Sequence, residues 1–222
     1  MQQYLGLALY AEGPTDYYFL RPLLQRLCED ICAKDSIHAI EFTEVLALDD
    51  DAEVKNASRE QRILGAAREA QGAWRILFVH TDGASNSAQA REHRAQPALD
   101  LLHREWGDTG IGVAVIPVRE TETWAICDVE AIRQILGTTL TPAELGLPLT
   151  AAAVEAAADP KLLLENAFSA THPSGRRKRQ GISPMLNALG EQVALRNLRA
   201  LSSFKSLEHE LRSALRTLRI LS

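Results

Sequence analysis

A chain of 222 residues with 46% hydrophobic and 24% charged residues can bury a sizeable core, which excludes disorder as its default state. No apolar stretch approaches the roughly 20 residues needed to span a bilayer, and even Ile111–Val118 is broken by Gly112 and Pro117, so a membrane role has no support. The net charge of −5 conceals an asymmetry: 14 basic and 26 acidic residues up to Ala170, then 10 basic and 3 acidic from Thr171. A C-terminal contact with phosphates or with an acidic partner surface is therefore expected.

Met1-Gln2-Gln3 leads directly into an apolar stretch without a basic leader or a small-residue cleavage site, so a cytoplasmic protein is expected. Tyr4–Tyr10 reads as a buried strand that ends at Glu12-Gly13-Pro14-Thr15-Asp16. Phe19, Leu20, Leu23, Leu24, Leu27, Ile31 and Cys32 then recur at helical spacing from Asp16 to about Ala33, with Pro22 as an early-turn residue or a mild kink. Cys28 and Cys32, one turn apart, read as buried thiols, as free cysteine commonly is. Ile37–Leu46 is a second strand, Asp49-Asp50-Asp51 a solvated loop, and Ser58–Gln71 a second helix.

The third strand, Ile76–Val79, finishes at His80-Thr81-Asp82-Gly83 before a long polar helix from about Ser87 to Trp106. The fourth, Ile111–Val118, ends at Arg119-Glu120-Thr121-Glu122-Thr123-Trp124. Strands alternating with helices define an α/β protein with a mostly parallel sheet. Beyond Gly137 the pattern changes to helices at Thr150–Ala158, Pro160–Ala167 and Leu195–Leu221, the last broken near Ser202-Ser203. A boundary near residue 140 separates this helical C-terminal extension, and Thr171–Gly181 reads as a mobile basic loop.

In an open parallel sheet the functional crevice lies beyond the carboxyl ends of the strands. Glu12 follows the first strand, Asp82 the third, and Glu120 and Glu122 the fourth, so distant acids can converge there. Converging carboxylates need a counter-charge, and a hard-oxygen cluster suits Mg²⁺ or Mn²⁺, which would polarise a phosphate oxygen. Each acid also has a structural reading: Asp82 as a helix cap, Glu120 and Glu122 at the positive end of a helix dipole, Asp16 as the start of its helix. Glu12, placed before the Gly13-Pro14 turn, favours function.

These segments resemble a known family. Glu12-Gly13-Pro14-Thr15-Asp16 is similar to the first Toprim motif, and Asp82 after Ile76-Leu77-Phe78-Val79 to its Asp-x-Asp motif. Pro117–Trp124, with Asp128 behind it, is similar to the Arg-Glu-x-Glu-x-Trp segment of small Toprim-like proteins related to the nuclease half of overcoming-lysogenization-defect enzymes. Asp159-Pro160-Lys161 and Leu201-Ser202-Ser203-Phe204 resemble less specific landmarks of the tail. One member departs: with Asp82 as the second acid of the pair, His80 stands in the first position. Residues at i and i+2 on a strand share a face, so His80 can join the cleft as a Mn²⁺ ligand or base, or be only a hydrogen-bonded histidine.

The resemblance implies a Toprim-like mostly parallel sheet flanked by helices over residues 1–140, with the extension over 141–222. It implies a metal-dependent nuclease hydrolysing DNA phosphodiesters in an antiviral defence system, with an ABC-type ATPase partner encoded nearby. Glu12 and Asp82 would be catalytic; Glu12, Asp16, Asp82, Glu120, Glu122 and His80 would supply ligands for Mg²⁺ or Mn²⁺. Related nucleases place a lysine near the scissile phosphate, which nominates Lys178 of the Gly175-Arg176-Arg177-Lys178-Arg179-Gln180-Gly181 run. Arg176, Arg177, Lys178 and Arg179 would grip a nucleic-acid backbone, or form a solvated partner-binding loop. Arg119 either pairs with the acids or holds a phosphate. Two other readings share these residues: a non-catalytic Toprim-like module that binds nucleic acid or an ATPase, and a Toprim ribonuclease. Cut specificity and oligomeric state are not encoded in any of these features.

Overall fold

A computed structural model describes residues 3–50 and 57–222. Strands β1 (Gln3–Leu5) and β2 (Leu7–Tyr10) lead into helix α1 (Pro14–Asp35), followed by β3 (Ile40–Phe42), β4 (Leu46–Ala47), α2 (Arg59–Glu69) and β5 (Ile76–His80). Helix α3 (Ser87–Ala90), a π-helical turn (Arg91–Ala95) and α4 (Gln96–Trp106) form one continuous rod before β6 (Ile111–Val115). The sheet order is β4-β2-β5-β6, with every pairing parallel; β1 pairs with β3, also parallel. The chain is thus an α/β protein with parallel strands flanked by helices and a helical C-terminal part.

Strand alternation sorts the core into two faces. Leu7, Leu9, Ile76, Phe78, Val113 and Val115 pack with α1, while Ala8, Tyr10, Leu77 and Val79 pack with Ile63 and Ala67 of α2 and Ala98 and Leu102 of α4. Strands buried on both faces explain the continuous apolar runs of the sequence. Gly6 separates β1 from β2 because a Cβ there would lie 2.2 Å from the Ala73 carbonyl oxygen. The expected strand over Ile37–Leu46 is broken at the same level, where Leu7 N–H donates to Thr43 Oγ1 at 3.3 Å, giving β3 and β4.

The fourth strand stops at Val115 rather than Val118. Its ladder with β5 ends at His80↔Val115, and Pro117 has no N–H to extend it. The two loops beyond are laced instead: Gly83 N–H donates to Pro117 O (3.1 Å) and Ala84 N–H to Arg119 O (2.9 Å). Ala84 (φ 47°) and Arg119 (φ 64°) both adopt the left-handed conformation, and a Cβ on Gly83 would meet Pro117 O at 2.3 Å. These loops carry the acids that follow β5 and β6.

After β6 come α5 (Glu122–Ala125), α6 (Val129–Leu136), α7 (Ala151–Ala156), α8 (Pro160–Ala170), α9 (Gly175–Gln180), α10 (Leu186–Gln192), α11 (Leu195–Leu198) and α12 (Ser202–Thr217). Residues beyond 140 enter the same apolar cluster as the sheet, with Phe204, Leu207, Leu211 and Leu215 of α12 among its members. Helix α10 packs on α1 and α12 packs on β6. The landmarks of the tail have visible tasks: Trp124 Nε1 donates to Ser203 Oγ (2.9 Å) and meets Phe204 edge to face. Asp128 accepts from Ala131 N (3.2 Å) and Ala194 N (2.9 Å), and Asp159 caps α8 through Leu162 N (2.8 Å).

Two local expectations are corrected. The basic segment expected as a loop over 171–181 contains α9, bounded by Gly175 (φ 53°) and Gly181 (φ 65°); Arg177 turns inward, donating to Leu136 O (2.7 Å) and stacking on Phe168. The acidic run after β4 is not simply solvated, since Asp50 accepts from the Tyr10 hydroxyl and from Arg62; Asp51 lies outside the described residues. Cys28 and Cys32 are buried free thiols, as read from their spacing.

Candidate metal centre

The carboxyl ends of β2 and β5 are neighbours, paired through Tyr10↔Val79, and the chain leaves both into polar turns. After β2, Gly13 and Pro14 open α1, and Asp16 closes a capping box by accepting Gly13 N–H at Oδ2 (2.9 Å). The N-terminal turn of α1 thus fixes the Asp16 carboxylate beside the end of β5. His80, the last residue of β5, is fully buried, and Asp82 follows two residues later.

Asp16, His80 and Asp82 form the group that could hold a metal ion among the described residues: one ligand atom from each lies within 4.8 Å of the others. His80 Nδ1 is 3.7 Å from Asp16 Oδ2, and His80 Nε2 is 3.5 Å from Asp82 Oδ1. Thr121, carried in from the loop after β6, connects them. Its hydroxyl donates to Asp16 Oδ1 (2.8 Å) and lies 3.1 Å from His80 Nε2. With its only proton given to the carboxylate, the Thr121 oxygen accepts from Nε2–H, so in the neutral ring Nδ1 is the acceptor. Both His80 Nδ1 and Asp82 Oδ1 are buried without a hydrogen-bond partner. Orphaned buried acceptors are costly, and two of them beside a second carboxylate, that of Asp16, fit a cation. Two carboxylates and one imidazole are a donor set that would hold Mg²⁺ or Mn²⁺.

The other predicted acids lie around this group in different states. Burial, with Glu120 and Asp16 as like charges, pushes the Glu122 carboxyl up to about 7. Burial and the neighbouring Asp82 and Asp159 also raise Glu120, whose Oε1 accepts Lys161 N–H at 2.8 Å. Glu12 is held differently. Its Oε1 accepts the Thr81 hydroxyl (2.8 Å) and pairs with Arg59 (3.3 Å) and Arg94 (2.5 Å), while Oε2 is 3.4 Å from Asp82 N.

The structure therefore brings Asp16, His80 and Asp82 together, sets Glu120 and Glu122 within their electrostatic reach, and ties Glu12 to two arginines at the border of the group. Lys178 lines a separate depression with Glu165, His172 and Ser183, where none of these acids takes part. Arg176, Lys178 and Arg179 are exposed, and none has a carboxylate partner among the described residues. Thr121, Thr81, Arg59 and Arg94 were not singled out from the sequence. Thr121 had a signal in its place between two predicted ligands, whereas Arg59 and Arg94 sit on helices among many polar residues and had none.

The fold and site define a parallel α/β protein with a carboxylate and histidine cluster at the carboxyl ends of its strands. No family model, curated protein or solved structure matches the chain.

Proposed function

We propose that this chain is a metal-dependent phosphodiesterase of the Toprim-like kind acting on DNA, with Asp16, His80 and Asp82 as ligands of Mg²⁺ or Mn²⁺. The observation that carries this reading is the pair of buried acceptors without a hydrogen-bond partner among the described residues, His80 Nδ1 beside Asp16 and Asp82 Oδ1 beside the same imidazole ring, at the ends of adjacent parallel strands. A divalent cation held there supplies Lewis-acid polarisation of a phosphate oxygen. Thr121 orients Asp16 and His80 through its hydroxyl, and Glu122 offers a half-buried carboxylate to take the proton of an attacking water. The exposed Arg176, Lys178 and Arg179 on α9, within a C-terminal segment of net positive charge, support a nucleic-acid backbone as the partner.

The motif resemblance adds an antiviral setting and an ABC-type ATPase partner to this proposal. Among the described residues no helix is long and apolar enough to cross a membrane. The deciding experiment incubates purified protein with plasmid and linear DNA in Mg²⁺ or Mn²⁺, alone and with any ATPase encoded beside it. Metal-dependent cleavage abolished by Asp16→Asn and by Asp82→Asn is the expected result, and cleavage unaffected by both overturns the assignment.

A second reading is favoured by one feature, the capture of Glu12 by Arg59 and Arg94 together with His80 in place of an acid. Under it the chain is a non-catalytic module that binds nucleic acid or an ATPase. Calorimetry separates the two, because that module binds its partner identically with and without divalent metal.

A further inference from the structure

The Glu12 carboxylate oxygen Oε1 receives two guanidinium groups, one from Arg59 and one from Arg94. The two arginines are held very differently. Arg59 is fixed from several sides: it donates to His80 O (2.6 Å) and Arg94 O (3.4 Å), and its guanidinium lies over the Tyr10 ring at 5.6 Å. Its side chain is 19% exposed. Arg94 is 47% exposed, and among the described residues its guanidinium is engaged with Glu12 alone. It also lies in the π-helical turn Arg91–Ala95, a local departure from α geometry of the kind that recurs at functional sites. On its open side is a depression of about 220 Å³ bordered by Asp82, Ala84, Asn86 and His93. The candidate metal ligand Asp82 and Arg94 thus line the same depression.

We propose that Arg94, backed by the fixed Arg59, is the phosphate anchor of the site, and that Glu12 occupies that anchor in the absence of substrate. A non-bridging phosphate oxygen replaces the carboxylate on Arg94, since guanidinium matches both groups with the same fork of donors. The Glu12 carboxylate, still held by Thr81 and Arg59 and 3.4 Å from the Asp82 amide, then has one competing guanidinium fewer and can turn its other oxygen toward the group formed by Asp16, His80 and Asp82. The phosphate half of this inference stands on the arginine geometry; the release of Glu12 toward a cation rests on the metal reading above.

The two halves are tested separately. Binding of a fluorescent oligonucleotide is measured by anisotropy in EDTA for the wild type, Arg94→Ala and Glu12→Gln. Arg94→Ala weakens binding about tenfold, as loss of a charge-assisted hydrogen bond implies, whereas Glu12→Gln tightens it by removing the competing carboxylate. Equal affinity of the wild type and Arg94→Ala, or weakening by both variants, overturns the anchor. Arg94→Lys retains the charge and recovers part of the binding, and an unchanged melting temperature of Arg94→Ala excludes a folding effect. Mn²⁺ is then titrated calorimetrically without nucleic acid. Arg94→Ala binds it several-fold more tightly than the wild type because Glu12 has already lost that competing guanidinium; equal affinity overturns the release. Mn²⁺ binding by neither protein overturns both the release and the metal reading, while the result in EDTA still decides the anchor.

Discussion

His80 Nδ1 faces Asp16 Oδ2 at 3.7 Å, and no hydrogen-bond donor among the described residues satisfies this buried ring nitrogen. Thr121 enforces that arrangement from the other side by accepting from Nε2 and donating to the same aspartate. The geometry presents lone pairs to one another at the point where two strands end, and it explains why a histidine can stand where an acid is the simpler choice.

A mixed set of two carboxylates and one imidazole ranks Mn²⁺ above Mg²⁺, because imidazole adds affinity for the later metals more than for a strictly oxygen-seeking ion. Calorimetry on the wild type is expected to give tighter Mn²⁺ than Mg²⁺ binding. His80→Asp should narrow or reverse the preference, and His80→Ala should weaken both.

Thr121→Val removes the hydroxyl that joins Asp16 and His80 while keeping the side-chain volume close. Loss of such an orienting partner typically lowers metal affinity 10- to 100-fold. The unpaired buried groups should also cost about 1–3 kcal/mol of folding free energy. Thr121→Ser, which keeps the hydroxyl, should restore metal affinity in the same titration.

Gly190 lets α10 approach α1: a Cβ there would lie 2.2 Å from Phe19 O and 2.8 Å from Pro22 Cγ. Gly190→Ala should therefore push the two helices apart and destabilise the protein by about 1–3 kcal/mol, as overpacking does. Urea unfolding followed by tryptophan fluorescence and by circular dichroism should show one coincident transition, shifted to lower urea. Separate transitions would mean that the segment after residue 140 unfolds on its own.

The contact of α12 and α11 with α1 is ionic at its edge. Arg199 bridges Asp30 (2.6 Å) and Glu208 (2.7 Å), and Arg212 bridges Glu208 (3.0 Å) and Asp35 (2.6 Å). Burial acts to raise the Glu208 carboxyl, but hydrogen bonds from Arg199 and Arg212 outweigh it and hold it below its ordinary value; burial opposes Lys34 and Arg199 in the same way at Asp30. A depressed carboxyl stabilises the fold above its unfolded-state pKa, and that contribution disappears as pH falls through the lower folded-state pKa. Melting temperature should drop on acidification below about pH 4.5, where unfolded carboxylates begin to protonate. Glu208→Gln should flatten part of that drop.

The sequence by itself determined what depends on neighbours along the chain. The alternation of Leu7, Ala8 and Leu9 marked a strand buried on both faces, Phe19 through Cys32 marked the face of α1, and the Gly13-Pro14 turn placed Glu12 and Asp16 at the head of that helix. Gly175–Gln180 escaped this reading because a short basic run between glycines has the same composition as a loop and as a short helix that begins at Gly175 and is C-capped by Gly181. Only the tertiary structure decided the partners of the acids. Glu12 meets Arg59 and Arg94, Thr121 meets Asp16 and His80, and Lys178 lies in a different depression. Long flexible side chains find one another across elements separated by dozens of residues, and their choice is set by sheet order, helix placement and the lacing of Ala84 to Arg119. Local periodicity carries no record of that choice.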